Sequence, residues 1–119
     1  MAKALIISGD EGTRYLYEVA ISYQKIEVGV AQNIAEGIKK LKVFHPDIII
    51  LDIMVSDIKN VSKLRELKGK ISSMPIIILT DMKNSTQKKE ASILGACKTM
   101  VKNESSLGDL IKTVRKAVK

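Results

Sequence analysis

Polar side chains that suit phosphoryl chemistry stand at the ends of four short apolar runs. Asp10 follows the first run, Asp52 the third, Thr80 the fourth and Lys102 the fifth. If the fold brings them together, two carboxylates and the backbone carbonyl of Met54 suit Mg²⁺, which prefers oxygen ligands and keeps several waters. The hydroxyl and the ammonium group can position and neutralise phosphoryl oxygens. In this arrangement Asp52 is the nucleophile.

The apolar runs are the elements that must position these groups. Three of them are uninterrupted and rich in isoleucine, which is typical of strands buried on both faces of a sheet. Two runs of mixed polarity suit the outer strands. The five predicted strands are Ala4–Ile7, Ile26–Ala31, Ile48–Leu51, Ile76–Leu79 and Cys97–Val101.

Stretches with apolar residues three and four positions apart separate the strands and predict helices that each bury one stripe. Gly69 is available as a stop for the third helix, and Ser105 and Ser106 are candidate N-caps of the last. The fourth helix, from Ser85 to Leu94, has few apolar contacts. The expected stripes are Leu16, Val19, Ala20 and Tyr23, then Ile34, Ile38 and Leu41, then Val61, Leu64 and Leu67, and last Leu107, Leu110, Ile111, Val114 and Val118.

Alternation of strands and helices predicts one α/β domain over residues 1–119, a three-layer α/β/α sandwich around a five-stranded parallel sheet. Ligands of such sheets bind beyond the carboxyl ends of the strands. In the flavodoxin-like order 2-1-3-4-5, strands one and three are neighbours, so Asp10 or Glu11 is expected beside Asp52. Glu11 is therefore a further candidate ligand of Mg²⁺.

Composition narrows the classes of protein. Of 119 residues, 45% are hydrophobic, and 20 Lys and Arg against 13 Asp and Glu give a net charge of +7. The chain has a single cysteine, Cys97, and a single histidine, His45, which is too few for a disulfide framework or a usual zinc site. We therefore expect the protein to reside in a reducing cytoplasm. The first apolar run is too short for a signal peptide or a membrane span, so no membrane insertion is expected. Aromatic residues, at 3%, argue against stacking on single-stranded nucleic acid.

The chain resembles the receiver domain of two-component response regulators over essentially its whole length. The resemblance is carried by Pro46 to Met54, by Pro75 to Thr80, by Gly95-Ala96 and by Lys102. It implies that Asp52 accepts a phosphoryl group from a histidine kinase or phosphorelay protein, with Mg²⁺ as cofactor. It further implies a regulatory phosphoprotein, whose chemistry is at most self-catalysed phosphotransfer and dephosphorylation.

Several positions depart from the pattern of that family. Receivers carry two adjacent acids after the first strand, and Gly9 and Asp10 align there, or in the alternative register Asp10 and Glu11. Thr99 aligns with the aromatic switch position, and Asn103 replaces the proline that follows the lysine. These departures favour a second hypothesis, a degenerate pseudo-receiver that binds protein partners independently of phosphorylation.

Positive charge concentrates toward the fourth helix, the fifth strand and the fifth helix of the predicted fold. We expect this basic face to bind an acidic segment of a downstream protein; nucleic acid is the disfavoured alternative, and a flavin is disfavoured further. The basic residues are Lys83, Lys88, Lys89, Lys98, Lys112, Arg115, Lys116 and Lys119.

Overall fold

A computed structural model of the chain describes residues 1–52, 54–71, 74–80, 90, 92–95, 98–101 and 106–118. Strands and helices alternate along this part of the chain, and residues 90 and 92–94 are helical as well. The strands are β1 (Lys3–Ile7), β2 (Glu27–Ala31), β3 (Ile48–Asp52), β4 (Ile76–Thr80) and β5 (Lys98–Val101). The helices with described bounds are α1 (Glu11–Ser22), α2 (Ile34–Phe44), α3 (Val61–Ile71) and α4 (Leu107–Ala117). The last of these, α4, corresponds to the fifth helix predicted from the sequence.

The strands form one parallel sheet in the order β2-β1-β3-β4-β5. Every residue of β3 and β4 is buried, as expected for strands covered on both faces. The predicted α/β class with a parallel sheet is confirmed. All five carboxyl ends lie at the same edge of the sheet, which is where ligands of such folds bind.

Two hydrophobic cores lie on opposite faces of the sheet, because successive side chains of a strand point to opposite sides. Leu5 and Ile7 of β1 join one core with α2 and α3, whereas Ala4 and Ile6 join the other core with α1 and α4. The helices thus cover both faces of the sheet. None of the helices in the described ranges is long and apolar enough to cross a membrane.

The ends of the helices are set by local hydrogen bonds. Ser106 caps α4 in a reciprocal capping box with Asp109, which confirms it as an N-cap. Asn33 caps α2 by accepting from the N–H of Glu36, 2.9 Å away. His45 ends α2 in the left-handed conformation, with φ of 52°, and is exposed.

Two expectations about the helices are wrong. In α1, Leu16, Val19 and Tyr23 are exposed by 52%, 48% and 78%, and Ile21 is buried instead. The apolar residues of α1 form two adjacent stripes, and the sheet covers the stripe that includes Ile21. The spacing of apolar residues alone does not show which of the two stripes is buried. Gly69 lies inside α3, which runs on to Ile71, because burial of Ile71 outweighs the cost of about 1 kcal/mol for a helical glycine.

Candidate functional site

The register of the sheet brings three polar residues to the carboxyl edge. Ile7 of β1 is paired with Leu51 of β3, so Ser8 and Asp52 are the next residues along these neighbouring strands. Asp52 is paired with Leu79 of β4, and Thr80 follows it. Ser8, Asp52 and Thr80 are all buried, with exposures of 0%, 2% and 5%. The edge of the sheet thus holds one carboxylate between two hydroxyl groups.

Asp52 is held by hydrogen bonds at both of its carboxylate oxygens. Its Oδ1 accepts from the backbone N–H of Met54, 3.0 Å away. Its Oδ2 accepts from the hydroxyl of Ser8 at 3.1 Å. A buried carboxylate is costly unless it is hydrogen-bonded or paired, and these contacts supply part of that compensation. They also fix the orientation of the carboxylate.

Ser8 is a site residue that was not predicted from the sequence. Its Oγ donates to Asp52 and accepts from the backbone N–H of Asp10, 3.3 Å away. The guanidinium of Arg14 donates to the carbonyl oxygen of Ser8 at 2.9 Å, which ties the start of α1 to the end of β1. The available clue is position, since Ser8 is the first polar residue after the apolar run of β1.

The acids after β1 contribute to helix α1. Asp10 is its N-cap, and its Oδ2 accepts from the backbone N–H and the hydroxyl of Thr13. Glu11 begins the helix, where a negative charge is favoured by the helix dipole, and it is exposed. Asp10 nevertheless stays close to the site. It borders an open polar recess of about 440 Å³ lined by Gly9, Asp10, Gln32, Asn33, Met54 and Ser56.

Gly9 leaves space next to the carbonyl of Met54. A Cβ atom added at Gly9 lies 3.8 Å from the carbonyl oxygen of Met54 and 3.6 Å from that of Gln32, which is ordinary van der Waals distance. A side chain at position 9 therefore fits without displacing the backbone and begins beside two carbonyl oxygens.

Thr80 borders the site on the side opposite Ser8. Its hydroxyl donates to the carbonyl oxygen of Met100 in β5 at 3.4 Å. Thr80 is paired with Val101 in the sheet, so Lys102 comes directly after the residue beside it. Lys102 and Asn103 lie outside the described residues, and Thr99 is described only as part of β5.

The loop after Asp52 is anchored at two points. Both carboxylate oxygens of Asp57 accept hydrogen bonds from the start of α2, from Ile34 N–H at 2.9 Å and from Ala35 N–H at 3.0 Å. Lys59 forms an ion pair of 3.0 Å with Glu90, whose side chain is 8% exposed. Neither contact was predicted, because each joins residues far apart in the sequence.

The sequence and the fold agree with comparisons to known proteins. The chain matches the response regulator receiver domain over residues 4–115, and it therefore belongs to that family. Members of the family are regulatory phosphoacceptors in two-component signal transduction rather than enzymes in the usual sense.

Individual relatives show the range of similarity. The chain is 31% identical over 80 residues to the transcriptional regulatory protein AfsQ1 of Streptomyces coelicolor, covering 67% of this chain and 35% of that protein. It is 24% identical to the transcriptional regulatory protein TrcR of Mycobacterium tuberculosis over 113 residues, 95% of this chain and 44% of the relative. The chain thus spans less than half the length of these curated relatives.

Solved structures support the fold. The chemotaxis protein CheY4 of Vibrio cholerae superposes with a TM-score of 0.84 at 23% identity, covering 98% of each chain. A CheY-like receiver domain protein of Methanospirillum hungatei superposes with a TM-score of 0.87 at 18% identity, covering 99% of this chain and 94% of that one. At these identities the comparison shows the shared receiver fold.

Proposed function

We propose that this chain is a receiver that accepts a phosphoryl group on Asp52 from a histidine kinase or phosphorelay protein, and that it signals through a changed protein-binding face. The observation that carries the proposal is a buried, hydrogen-bonded carboxylate at the carboxyl end of the central strand β3. Its hydrogen-bond donor Met54 lines an open recess. Membership in the receiver family supports the same role.

The proposed chemistry is a transfer followed by hydrolysis. One oxygen of the Asp52 carboxylate forms a bond to the phosphorus atom of the donor, and the bond from phosphorus to the donor's leaving atom breaks. The product is an acyl phosphate on Asp52 and the free donor. Water later attacks the phosphorus, which releases inorganic phosphate and restores the carboxylate. Positioning and charge neutralisation carry most of the catalysis in such transfers.

Residues around Asp52 have distinct proposed roles. The N–H of Met54 and the hydroxyl of Ser8 hold the carboxylate in one orientation before transfer. Thr80 turns its hydroxyl from the carbonyl of Met100 toward a phosphoryl oxygen once one is present, since its present hydrogen bond of 3.4 Å is long. Lys102 is proposed to neutralise another phosphoryl oxygen.

Receiver domains generally bind Mg²⁺ at an acidic pocket, and the oxygen donors around Asp52 fit a site with few charges. No group of three or more His, Cys, Asp or Glu side chains within the described ranges is arranged to hold a metal. Proteins commonly hold Mg²⁺ with one or two carboxylates, a carbonyl and phosphate oxygens. We propose Asp52, the Met54 carbonyl and Asp10 as ligands, with Glu11 as a further one; when bound, the cation neutralises charge on the phosphoryl oxygens.

Beryllofluoride, an analogue of a phosphoryl group, tests this function. With Mg²⁺ present, we expect the backbone amide resonances of Met54 and Thr80 to shift in the wild type and to stay unchanged in Asp52→Asn. Asp52→Asn is a matched control, because the amide keeps an oxygen acceptor for the N–H of Met54. Equal spectra of wild type with and without beryllofluoride, from a folded protein, would contradict the proposal.

A pseudo-receiver that binds partners independently of phosphorylation is the second candidate. The observation that favours it is the absence of charge at Ser8 and Gly9, the two residues directly after β1. The two candidates differ in the response of partner binding to Asp52→Asn. Equal affinity of wild type treated with acetyl phosphate and of this variant for the downstream partner would favour the pseudo-receiver.

For the downstream partner we propose an acidic protein segment that binds the basic face. Lys112, Arg115 and Lys116 are exposed on α4 and belong to this face. Poly-glutamate and duplex DNA serve as probes at matched charge concentration. We expect tighter binding of poly-glutamate, weakened by Lys112→Glu with Lys116→Glu. Equal binding after charge reversal would refute the assignment of the face, and tighter binding of DNA would favour nucleic acid.

A further inference from the structure

The two residues that follow β1, Ser8 and Gly9, border the site, and neither of them carries a charge. Ser8 contacts the carboxylate of Asp52 directly, with 3.1 Å between Oγ and Oδ2. Gly9 comes next, and a Cβ atom added there lies 3.8 Å from the carbonyl oxygen of Met54. A carboxylate at either position would lie beside the other oxygen ligands proposed above.

The Ser8 hydroxyl reduces the need for a metal cation beside the Asp52 carboxylate in the resting protein. Two carboxylates within about 4 Å of each other repel unless a cation lies between them. A carboxylate that accepts hydrogen bonds from a hydroxyl and an N–H has part of its charge compensated by these donors. Asp52 has such donors in Ser8 and Met54, and they supply part of the compensation that a bound metal cation would otherwise give.

Charge also determines how strongly the site attracts Mg²⁺. This ion loses its water reluctantly, and its binding depends on the number of negative oxygens that replace the water. Asp10 uses Oδ2 to cap α1, so the resting site offers Mg²⁺ the carboxylate of Asp52 and at most one oxygen of Asp10. The phosphoryl group brings further negative oxygens into the recess.

We propose that Ser8 and Gly9 make this a site that holds Mg²⁺ only together with a phosphoryl group, and that the Ser8 hydroxyl partners Asp52 in place of a cation at rest. Ser8 is in this sense a positioning residue for Asp52. The role of the phosphoryl group rests on the proposed function, whereas the low affinity of the resting protein for Mg²⁺ alone does not.

Titration with Mg²⁺ alone, followed by the amide resonances of Met54 and of residues near Asp52, measures the resting affinity. We expect Gly9→Asp to bind Mg²⁺ about tenfold or more tightly than the wild type, because the new carboxylate lies beside the Met54 carbonyl. Gly9→Asn is the matched control, with the same size and no charge, and is expected to stay close to the wild type. Ser8→Asp and Ser8→Asn form a second pair with the same expectation.

Position 9 is exposed, so the Gly9 pair carries the test if a substitution at the buried Ser8 prevents folding. Wild type that binds Mg²⁺ alone as tightly as Gly9→Asp, or a gain in Gly9→Asn equal to that in Gly9→Asp, would overturn the inference. Addition of beryllofluoride is expected to raise the affinity of the wild type for Mg²⁺ at least tenfold. If beryllofluoride leaves that affinity unchanged while the Gly9 pair behaves as expected, the proposed function and the phosphoryl-dependent part of the inference fail together, and only the low affinity of the resting site for Mg²⁺ stands.

Discussion

Asp57 anchors the loop that follows Asp52 to the start of α2, and its removal is the most informative perturbation of the scaffold. Its two carboxylate oxygens accept from the N–H groups of Ile34 and Ala35, at 2.9 and 3.0 Å. The next N–H of the helix is satisfied by Asn33. The first N–H groups of a helix have no partner inside the helix, so Asp57→Ala leaves two of them to water.

The expected loss follows from the two hydrogen bonds. A bond to a charged acceptor contributes about 1.5–3 kcal/mol, and loss of a capping side chain costs about 0.5–2 kcal/mol. Asp57 is half-buried, so water replaces part of both bonds in the variant. We therefore expect Asp57→Ala to lower the free energy of unfolding by about 2 kcal/mol, and Asp57→Asn, which keeps one oxygen acceptor, by about 1 kcal/mol.

Urea denaturation measures the free energy of unfolding, and hydrogen exchange locates the change. At this chain length, about 2 kcal/mol corresponds to a fall in Tm of roughly 6–10 °C. The amides of Ile34 and Ala35 are expected to lose protection in Asp57→Ala. Ser56→Ala, in the same loop, serves as the control. Equal stability of Asp57→Ala and Ser56→Ala, with the two amides still protected, would refute the anchoring role.

Further predictions concern the helices. In α2, Gly37→Ala places a Cβ atom 2.5 Å from Ile7 Cδ1. We expect the free energy of unfolding, measured by urea denaturation, to fall by about 1 kcal/mol, because the cost of overpacking exceeds the gain in helix propensity. Gly69→Ala in α3 meets nothing within 4 Å, and it should gain about 0.5–1 kcal/mol; a loss there would contradict this contrast. Ser106→Ala removes the cap of α4 and is expected to cost about 1 kcal/mol in the same assay. Hydrogen bonds from the backbone N–H and then from the side chain of Ser106 lower the pKa of Asp109. The stabilisation of the folded protein by the ionised Asp109 is therefore present above the ordinary carboxyl pKa and is lost as the pH falls through the lowered pKa of the folded state. Urea curves of wild type and Asp109→Asn should therefore converge in acid, and a constant difference would contradict this assignment.

The strands were predicted well because their signal is local. Runs such as Ile48–Leu51 and Ile76–Leu79 are apolar at every position, short and rich in isoleucine, which favours strands buried on both faces over helices. The structure extends each of these two runs by one residue, to Asp52 and to Thr80, which are the polar site residues predicted from the sequence.

The site was predicted less completely, because its details depend on register and on distant contacts. The sequence has Ser8, Gly9 and Asp10 in succession, and a shift of one residue decides which of them faces Asp52. The structure puts the hydroxyl of Ser8 there and gives Asp10 the capping role. The contact of Asp57 with α2 spans more than 20 residues and leaves no periodic pattern in the sequence.

The central claim is that Asp52 accepts a phosphoryl group, and intact-mass measurement after incubation with acetyl phosphate and Mg²⁺ tests it most directly. The wild type is expected to gain the mass of one phosphoryl group, which is lost on standing as the acyl phosphate hydrolyses. Asp52→Asn is expected to stay at its own mass under the same conditions, and its unfolding curve shows whether it is folded. A wild type that gains no mass, or an Asp52→Asn protein that gains the same mass, would contradict the assignment of Asp52 as the phosphoacceptor.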